Sequence, residues 1–296
     1  MQFFSIYQSL IDIVLINCCL AFSQYVVLRA GVFSLATSGI ASIGAYTAAI
    51  LTMRHGMPDW LGILAGTFLG MLTSIVLSIP LARLRGVFQA IATISFMQIV
   101  MSVTLYADGL TGGAIGIYGI PKLVSTGTLI IVVAALIWLL SLINASSIGR
   151  AFDVIREDET VAVSLGVSIV KYHTIAFALS GAIAGLAGAL LTYNTRAIDP
   201  QQFGFSLMVT ALAMVVMGGR VSVWGPVVGA SVLTLLPELI RAFADQRSVT
   251  YGALLMIVII YLPDGIVDTL KARWLRLSQK ERAPMLGPDQ LEAGDT

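Results

Sequence analysis

Nearly uncharged apolar runs recur along this chain, and they restrict what it can fold into more than any other feature. A helix needs ~20 such residues to cross a hydrocarbon core of ~30 Å. The runs fall at residues 9–28, 35–53, 61–81, 87–106, 128–145, 172–195, 205–219, 225–243 and 249–263. Period-two alternation of the outer-membrane-barrel kind is absent, so the backbone must satisfy itself within helices. The expected fold class is all-α: a polytopic integral membrane protein with eight to ten transmembrane or re-entrant helices. A mean hydropathy of +0.92 with 11% charged residues agrees, since soluble chains carry about a quarter.

Residues 1–270 read as one membrane domain and 271–296 as a cytoplasmic tail. The tail is basic at first, then polar with Pro284, Gly287 and Pro288, a composition that favours disorder. The opening MQFFSIYQSLIDIV lacks a basic n-region and a convincing cleavage site, and is read as retained. Segments 35–53 and 225–243 carry glycine, proline or small polar residues near their starts, which suits broken or re-entrant helices.

Basic residues set the orientation. Counting spans alternately places Arg29, Arg83, Arg85, Arg150, Arg156, Lys171, Arg220, Lys271, Arg273, Arg276, Lys280 and Arg282 on one side. Arg54, Lys122, Arg196, Arg241 and Arg247 fall on the other. The positive-inside rule makes the first side cytoplasmic, with 149–166 and the C-terminus on it. The side of the N-terminus is not fixed, because one re-entrant segment would reverse it.

Several function classes drop out. There is no G-x-x-x-x-G-K-[ST], no H-E-x-x-H and no G-x-S-x-G. A net charge of +1 suggests no nucleic-acid partner. Cys18 and Cys19 are adjacent in an apolar run and read as small hydrophobes, while His55 and His173 have no second ligand at metal spacing. No metal site is therefore expected. Asp12 and Glu238 are the main ionisable residues within spans, too few for an intramembrane enzyme or an ion-coupled carrier.

Three patterns remain. GAIAGLAGALL places Gly181, Gly185 and Gly188 at small-residue spacing, read chiefly as close helix packing. SLATSGIASIGAYTAA is too polar for a lipid-facing helix; Ser38, Ser42, Gly44 and Tyr46 are candidates for a translocation path. DGLTGGAIGIYGIP, residues 108–121, is a glycine-dense external loop, either an ordinary tight turn or a structured entrance involving Thr111, Gly112 and Gly113.

The stretch GRAFDVIREDETVAVSLG, residues 149–166, concentrates charge: six of the 33 charged residues fall between Arg150 and Glu159. Ser146 or Ser147 can cap a helix there and Gly166 can end it. At 3.6 residues per turn Ala151, Val154, Ile155, Val161, Ala162 and Leu165 make an apolar side. Glu157, Asp158 and Glu159 would then lie mid-helix, where the macrodipole does not require them. The residues alone leave two readings open, a solvated interfacial helix and a docking element.

The sequence resembles the permease subunits of ATP-binding-cassette importers for branched-chain amino acids, specifically the M-type of two paired permeases. The matching blocks are GAYTAAIL at 44–51, RLRGVFQAIATISF at 83–96, LTGGAIGIYGIP at 110–121, residues 149–190, and GGRVSVWGPVVGASVLTLLPELIR at 218–241. The chain departs from the family at Ala36-Thr37-Ser38-Gly39-Ile40 and at Thr160-Val161. The resemblance implies a second permease subunit, two cytoplasmic ATPase subunits, a periplasmic solute-binding protein and a bacterial inner-membrane location. ATP would be bound by those partners only, and the chain itself would be a transporter subunit without a cofactor. It also implies that 149–166 is the helix that docks on the ATPase, with Gly149, Arg150, Ile155, Arg156, Glu157, Asp158, Glu159 and Gly166 as its marked residues. Related permeases serve other amino acids, amides or urea. A stand-alone carrier or channel and a membrane enzyme are the competing readings.

Overall fold

A computed structural model describes residues 2–122, 124–239 and 265–269. The expected span at 249–263 and the tail at 271–296 lie outside the described residues, as does the side chain of Glu238. The helices are α1 (Gln2–Arg29), α2 (Thr37–His55), α3 (Asp59–Leu81), α4 (Val87–Tyr106), α5 (Asp108–Thr111), α6 (Thr126–Ala145), α7 (Ser147–Glu157), α8 (Glu159–Ser164), α9 (Ile169–Thr195), α10 (Phe205–Gly218) and α11 (Trp224–Leu239). A 3₁₀ turn, η1, covers Pro200–Phe203, and β1 (Ile117–Tyr118) pairs antiparallel with β2 (Ala197–Ile198). Six helical segments among the described residues are long and apolar enough to cross a membrane. The molecule is a multi-pass helical membrane protein.

Its centre is the group α2, α3 and α9, held together by residues with almost no side chain. α3 carries Gly62, Gly66, Gly70, Ser74 and Ser78, all buried, at strict intervals of four. That spacing puts them on one face, and the face lies against α9. A Cβ at Gly70 would stand 2.6 Å from the Gly181 carbonyl oxygen, and one at Gly66 would stand 2.7 Å from that of Gly44. Gly185 abuts Gly66, Gly44 abuts Gly185, and Gly188 abuts Ala41. In lipid, where apolar side chains gain nothing by leaving the hydrocarbon, such close approach drives association. Hydroxyls tie the ends: Ser74 donates to the Phe177 carbonyl at 2.6 Å, and the Tyr193 and Thr52 hydroxyls meet at 2.7 Å. Gly181, Gly185 and Gly188 thus serve packing, and Gly44 does as well.

α2 is not broken, contrary to the expectation for 35–53. Its 19 residues form one continuous helix enclosed by α3, α4 and α9. The irregular backbone lies just before it, at 31–36, and is satisfied by side chains. Gln24 donates to the Ser34 carbonyl at 2.7 Å, and the Leu35 N–H donates to the Thr93 hydroxyl at 3.0 Å. The segment at 225–243 is likewise helical through Leu239, with Gly225 and Pro226 in its first turn.

The charged residues sort to two ends. At one, Arg29 pairs with Asp153 and Arg85 with Glu159. At the other, Arg54 donates to the Gly109 carbonyl, Lys122 pairs with Asp12, and the Ile120 N–H donates to the Arg196 carbonyl. This is the same partition as the charge count, and it puts the start of α1 at the Lys122 end, which the count left open. Asp12 is fully buried but satisfied, accepting from Lys122 at 3.3 Å and Thr126 at 2.6 Å.

Candidate functional site

The stretch 147–166 is two helices, not one. Ser146 caps α7 by accepting from the Ile148 N–H at 3.1 Å. The chain then extends at Asp158 (φ −156°, ψ 115°), whose carboxylate accepts from the N–H groups of Thr160 at 2.6 Å and Val161 at 3.2 Å. Asp158 is therefore the N-cap of α8, and Glu159 sits in its first turn, where the helix dipole favours an acid. The expectation that these acids do nothing for helix stability is corrected by this break. The Thr160 hydroxyl, followed by the N–H groups of Thr160 and Val161, holds the Asp158 carboxyl below the usual carboxylate range. Gly166, at φ +79°, ends α8: its N–H reaches the Val163 carbonyl, and the Val167 N–H reaches that of Ala162. This paired closure uses the left-handed conformation that glycine adopts without strain.

The pair has a distinct inner and outer side. Gly149 lets α7 fold back on the end of α6, for a Cβ there would stand 2.5 Å from the Asn144 carbonyl oxygen. Ala151, Phe152 and Ile155 are buried, and Phe152 meets Tyr172 edge-on with ring centroids 6.4 Å apart. Arg156 also faces inward, 3.8 Å from Asp153 and with its backbone against Gly31. On the outer side lie Arg150, Glu157 and Asp158, with Glu159 half-buried and 3.4 Å from the exposed Arg85. Val161, Val163 and Leu165 are exposed too (50%, 58% and 68%). The sequence reading placed Val161 and Leu165 on the anchoring side; of α8 only Ala162 is buried, because the break at Asp158 resets the helical phase. A groove of about 320 Å³ beside α8 is lined by Leu84, Arg85, Glu159, Val163, Val170 and His173.

The inner side is wired into the bundle through one arginine. Arg29, nearly buried at the end of α1, reaches Asp153 of α7 at 3.2 Å, the Tyr25 hydroxyl at 2.8 Å and the Val221 carbonyl at 2.7 Å. The Tyr25 hydroxyl donates to that same carbonyl at 3.0 Å and accepts from Asn144 at 3.0 Å. Asp268 fixes the loop between α10 and α11 from the other side, accepting from the N–H groups of Val221 and Ser222. α1, α6, α7 and this loop therefore meet at one node.

Within the membrane, α2 presents Ser38, Ser42 and Tyr46 at intervals of four. All three are buried (0%, 2% and 4% exposed), and among the described residues none of their hydroxyl oxygens has a hydrogen-bond partner. Tyr46 stacks at a tilt on Phe203 of η1, centroids 6.4 Å apart.

A family model described as "Branched-chain amino acid transport system / permease component" matches residues 7–262. The chain belongs to this permease family. It is 30% identical over 271 residues to the "High-affinity branched-chain amino acid transport system permease protein LivM" of Escherichia coli K12, a match that covers 80% of this chain. The chain spans 64% of the length of that relative. It is 30% identical over 140 residues to the E. coli LivH permease protein, covering 47% of this chain and 45% of LivH. The ribose import permease protein RbsC of Haemophilus influenzae is 26% identical over 270 residues, with 83% of this chain and 80% of RbsC covered.

In this permease Thr111, Gly112 and Gly113 build the tight turn that follows α5. Thr111 donates to the Thr104 carbonyl at 2.6 Å and accepts from the Gly113 N–H at 3.2 Å. Gly112 and Gly113 have φ of +76° and +61°, and a Cβ on either would strike Gly116 or Asp108. The turn feeds β1 into its pairing with β2. Sequence reasoning missed the node at Tyr25, Arg29, Asn144, Val221 and Asp268, because its members are 4 to 243 residues apart and only folding joins them. It also missed the α3 glycine row, although its period of four is plain in LGILAGTFLGMLTS.

Proposed function

We propose that this permease is the membrane subunit of an ATP-driven importer in the bacterial inner membrane, with α7, α8 and the C-terminus on the cytoplasmic side. It pairs with a second permease subunit, two cytoplasmic ATPase subunits bind and hydrolyse ATP, and a periplasmic solute-binding protein delivers a branched-chain amino acid. The observation that carries this reading is the outer face of α7 and α8. Arg150, Glu157, Val161, Val163 and Leu165 expose a mixed charged and apolar surface at the arginine-rich end, on a chain with no nucleotide motif of its own. Depletion of charge around an apolar centre is the usual make-up of a protein interface. Movement of the pair on ATPase closure would reach α1 and the α10–α11 loop through Arg29.

The test is Glu157→Arg combined with Leu165→Glu, two exposed positions whose side chains hold nothing else in place. The variant is expected to insert and fold normally while losing co-purification with the ATPase. Stoichiometric co-purification and normal transport would sink the docking assignment.

A second reading keeps the importer and changes the cargo to an amide, urea, another amino acid or a sugar. The long match to a ribose import permease supports it. Binding measurements on the cognate solute-binding protein with a panel of these solutes decide between the two.

A further inference from the structure

We propose that Ser38, Ser42 and Tyr46 form a solute-contact row that is shut in this structure and opens during transport, and that it takes small polar solutes without net charge. The inference rests on the importer reading and names the surface over which the solute passes.

The hydroxyls of this row stand apart from the others buried in the bundle. Ser23 donates to the Ser180 carbonyl, Ser74 to that of Phe177, Ser78 to Ile75, Thr93 to Gln89, Thr104 to Met101 and Thr192 to Gly188. A serine within a helix can bond back to the carbonyl one turn earlier. Ser38 and Ser42 do not, and Tyr46 next along the same face is also unpartnered. A buried, unpartnered hydroxyl is destabilising, so three in a row need a state in which they are satisfied. Residues 38, 42 and 46 advance by about 40° per step around the helix. They share one face, while Ala41 and Gly44 pack on α9 from another.

The row ends at Tyr46 against Phe203, next to the loops that carry β1, β2 and η1. A route from that end of the molecule thus leads down α2 from Tyr46 to Ser38. Of the elements that pack on α2, α4, η1 and α10 contain no charged residue; the charges of α1, Asp12 and Arg29, are paired with Lys122 and Asp153, and those of α3, α5 and α9, Asp59, Asp108 and Lys171, stand in their first turns. Asp199 lies within electrostatic reach of Tyr46 at the row's end, its carboxylate already accepting from the Gln202 N–H and side-chain amide. Hydroxyls both donate and accept but do not neutralise a net charge in a low-dielectric setting. They suit a zwitterion or an uncharged polyol and reject a net ion.

The assembled importer, with Cys18 and Cys19 replaced by alanine and Ser42→Cys introduced, is treated with a membrane-impermeant thiol reagent. One sample is at rest and one is turning over ATP with solute. Labelling is expected to be at least about tenfold faster during turnover, as for an open state populated at 10% or less at rest. A complex that transports yet labels at the same rate in both states, or not at all, overturns the row and leaves the importer reading intact. A complex that neither assembles nor transports overturns both. A second variant, Ser38→Ala with Ser42→Ala, separates contact from scaffold. It should melt no lower than the parent while the KM for solute rises; a lower melting temperature with unchanged KM would make the hydroxyls structural.

Discussion

Asp158 shows how one side chain redirects a segment. Its carboxylate caps α8 and so divides what the periodicity presents as a single helix. Because the capping bonds lower its pKa, the cap is fully formed above the unfolded carboxyl pKa of ~3.9. It is lost as pH falls through the still lower folded value, so α8 should loosen only in strong acid and not near neutrality. Asp158→Ala should speed amide hydrogen exchange through α8, whereas Asp158→Asn, which still accepts, should leave it close to the parent. Protection unaltered in the alanine variant would remove the cap from the account. The signal was present in the sequence, since Asp-Glu-Thr is a helix start in its own right. It was hidden because the apolar spacing could be continued across it.

The helices themselves were legible at the element scale. The apolar runs correspond to α2, α3, α4, α6, α9, α10 and α11 within a few residues, and the first to α1, which begins earlier, at Gln2, because in lipid an uninterrupted hydrophobic run has few alternatives to a helix. What joins elements was not legible, and the Arg29 node is the main case. An exposed-looking arginine at the end of a span turns out to connect α7 with α1 and the α10–α11 loop. Arg29→Lys keeps the cation but not the planar fork that serves three acceptors. In the proposed importer the ATPase subunits beside this variant should still bind and hydrolyse ATP, while transport per ATP falls by roughly two- to thirty-fold, the range for a coupling loss of about 0.5–2 kcal/mol. Equal losses of hydrolysis and transport would instead mark Arg29 as purely structural. The path candidates divided along similar lines. Ser38, Ser42 and Tyr46 remain unpartnered, but Gly44 belongs to a helix contact and Thr111, Gly112 and Gly113 to a turn.

For the whole molecule the decisive feature is the seam of small residues among α2, α3 and α9. Gly185→Val should lower folded yield and melting temperature, since its branched side chain must enter the space held by the Gly66 carbonyl; overpacking of this kind costs about 1–3 kcal/mol or more. Gly127→Ala makes the contrast. A Cβ there meets only the Ser125 hydroxyl oxygen, at 3.7 Å, and alanine favours a helix over glycine by about 1 kcal/mol, so stability should hold or rise. Thermal melts of both variants in the same detergent compare them directly.

The row Gly62, Gly66, Gly70, Ser74 and Ser78 repeats every four residues, and α9 answers with Gly181 and Gly185 at the same interval. Two ladders of equal pitch fit together at more than one rung: sliding α9 by one turn would set glycine against glycine again. Close packing therefore says how near the two helices lie but leaves their lengthwise alignment degenerate. The alignment is written where the ladders end: the Ser78 hydroxyl donates to that of Thr174 at 3.4 Å, and Tyr193, its hydroxyl tied to Thr52 of α2, lies over Gly62.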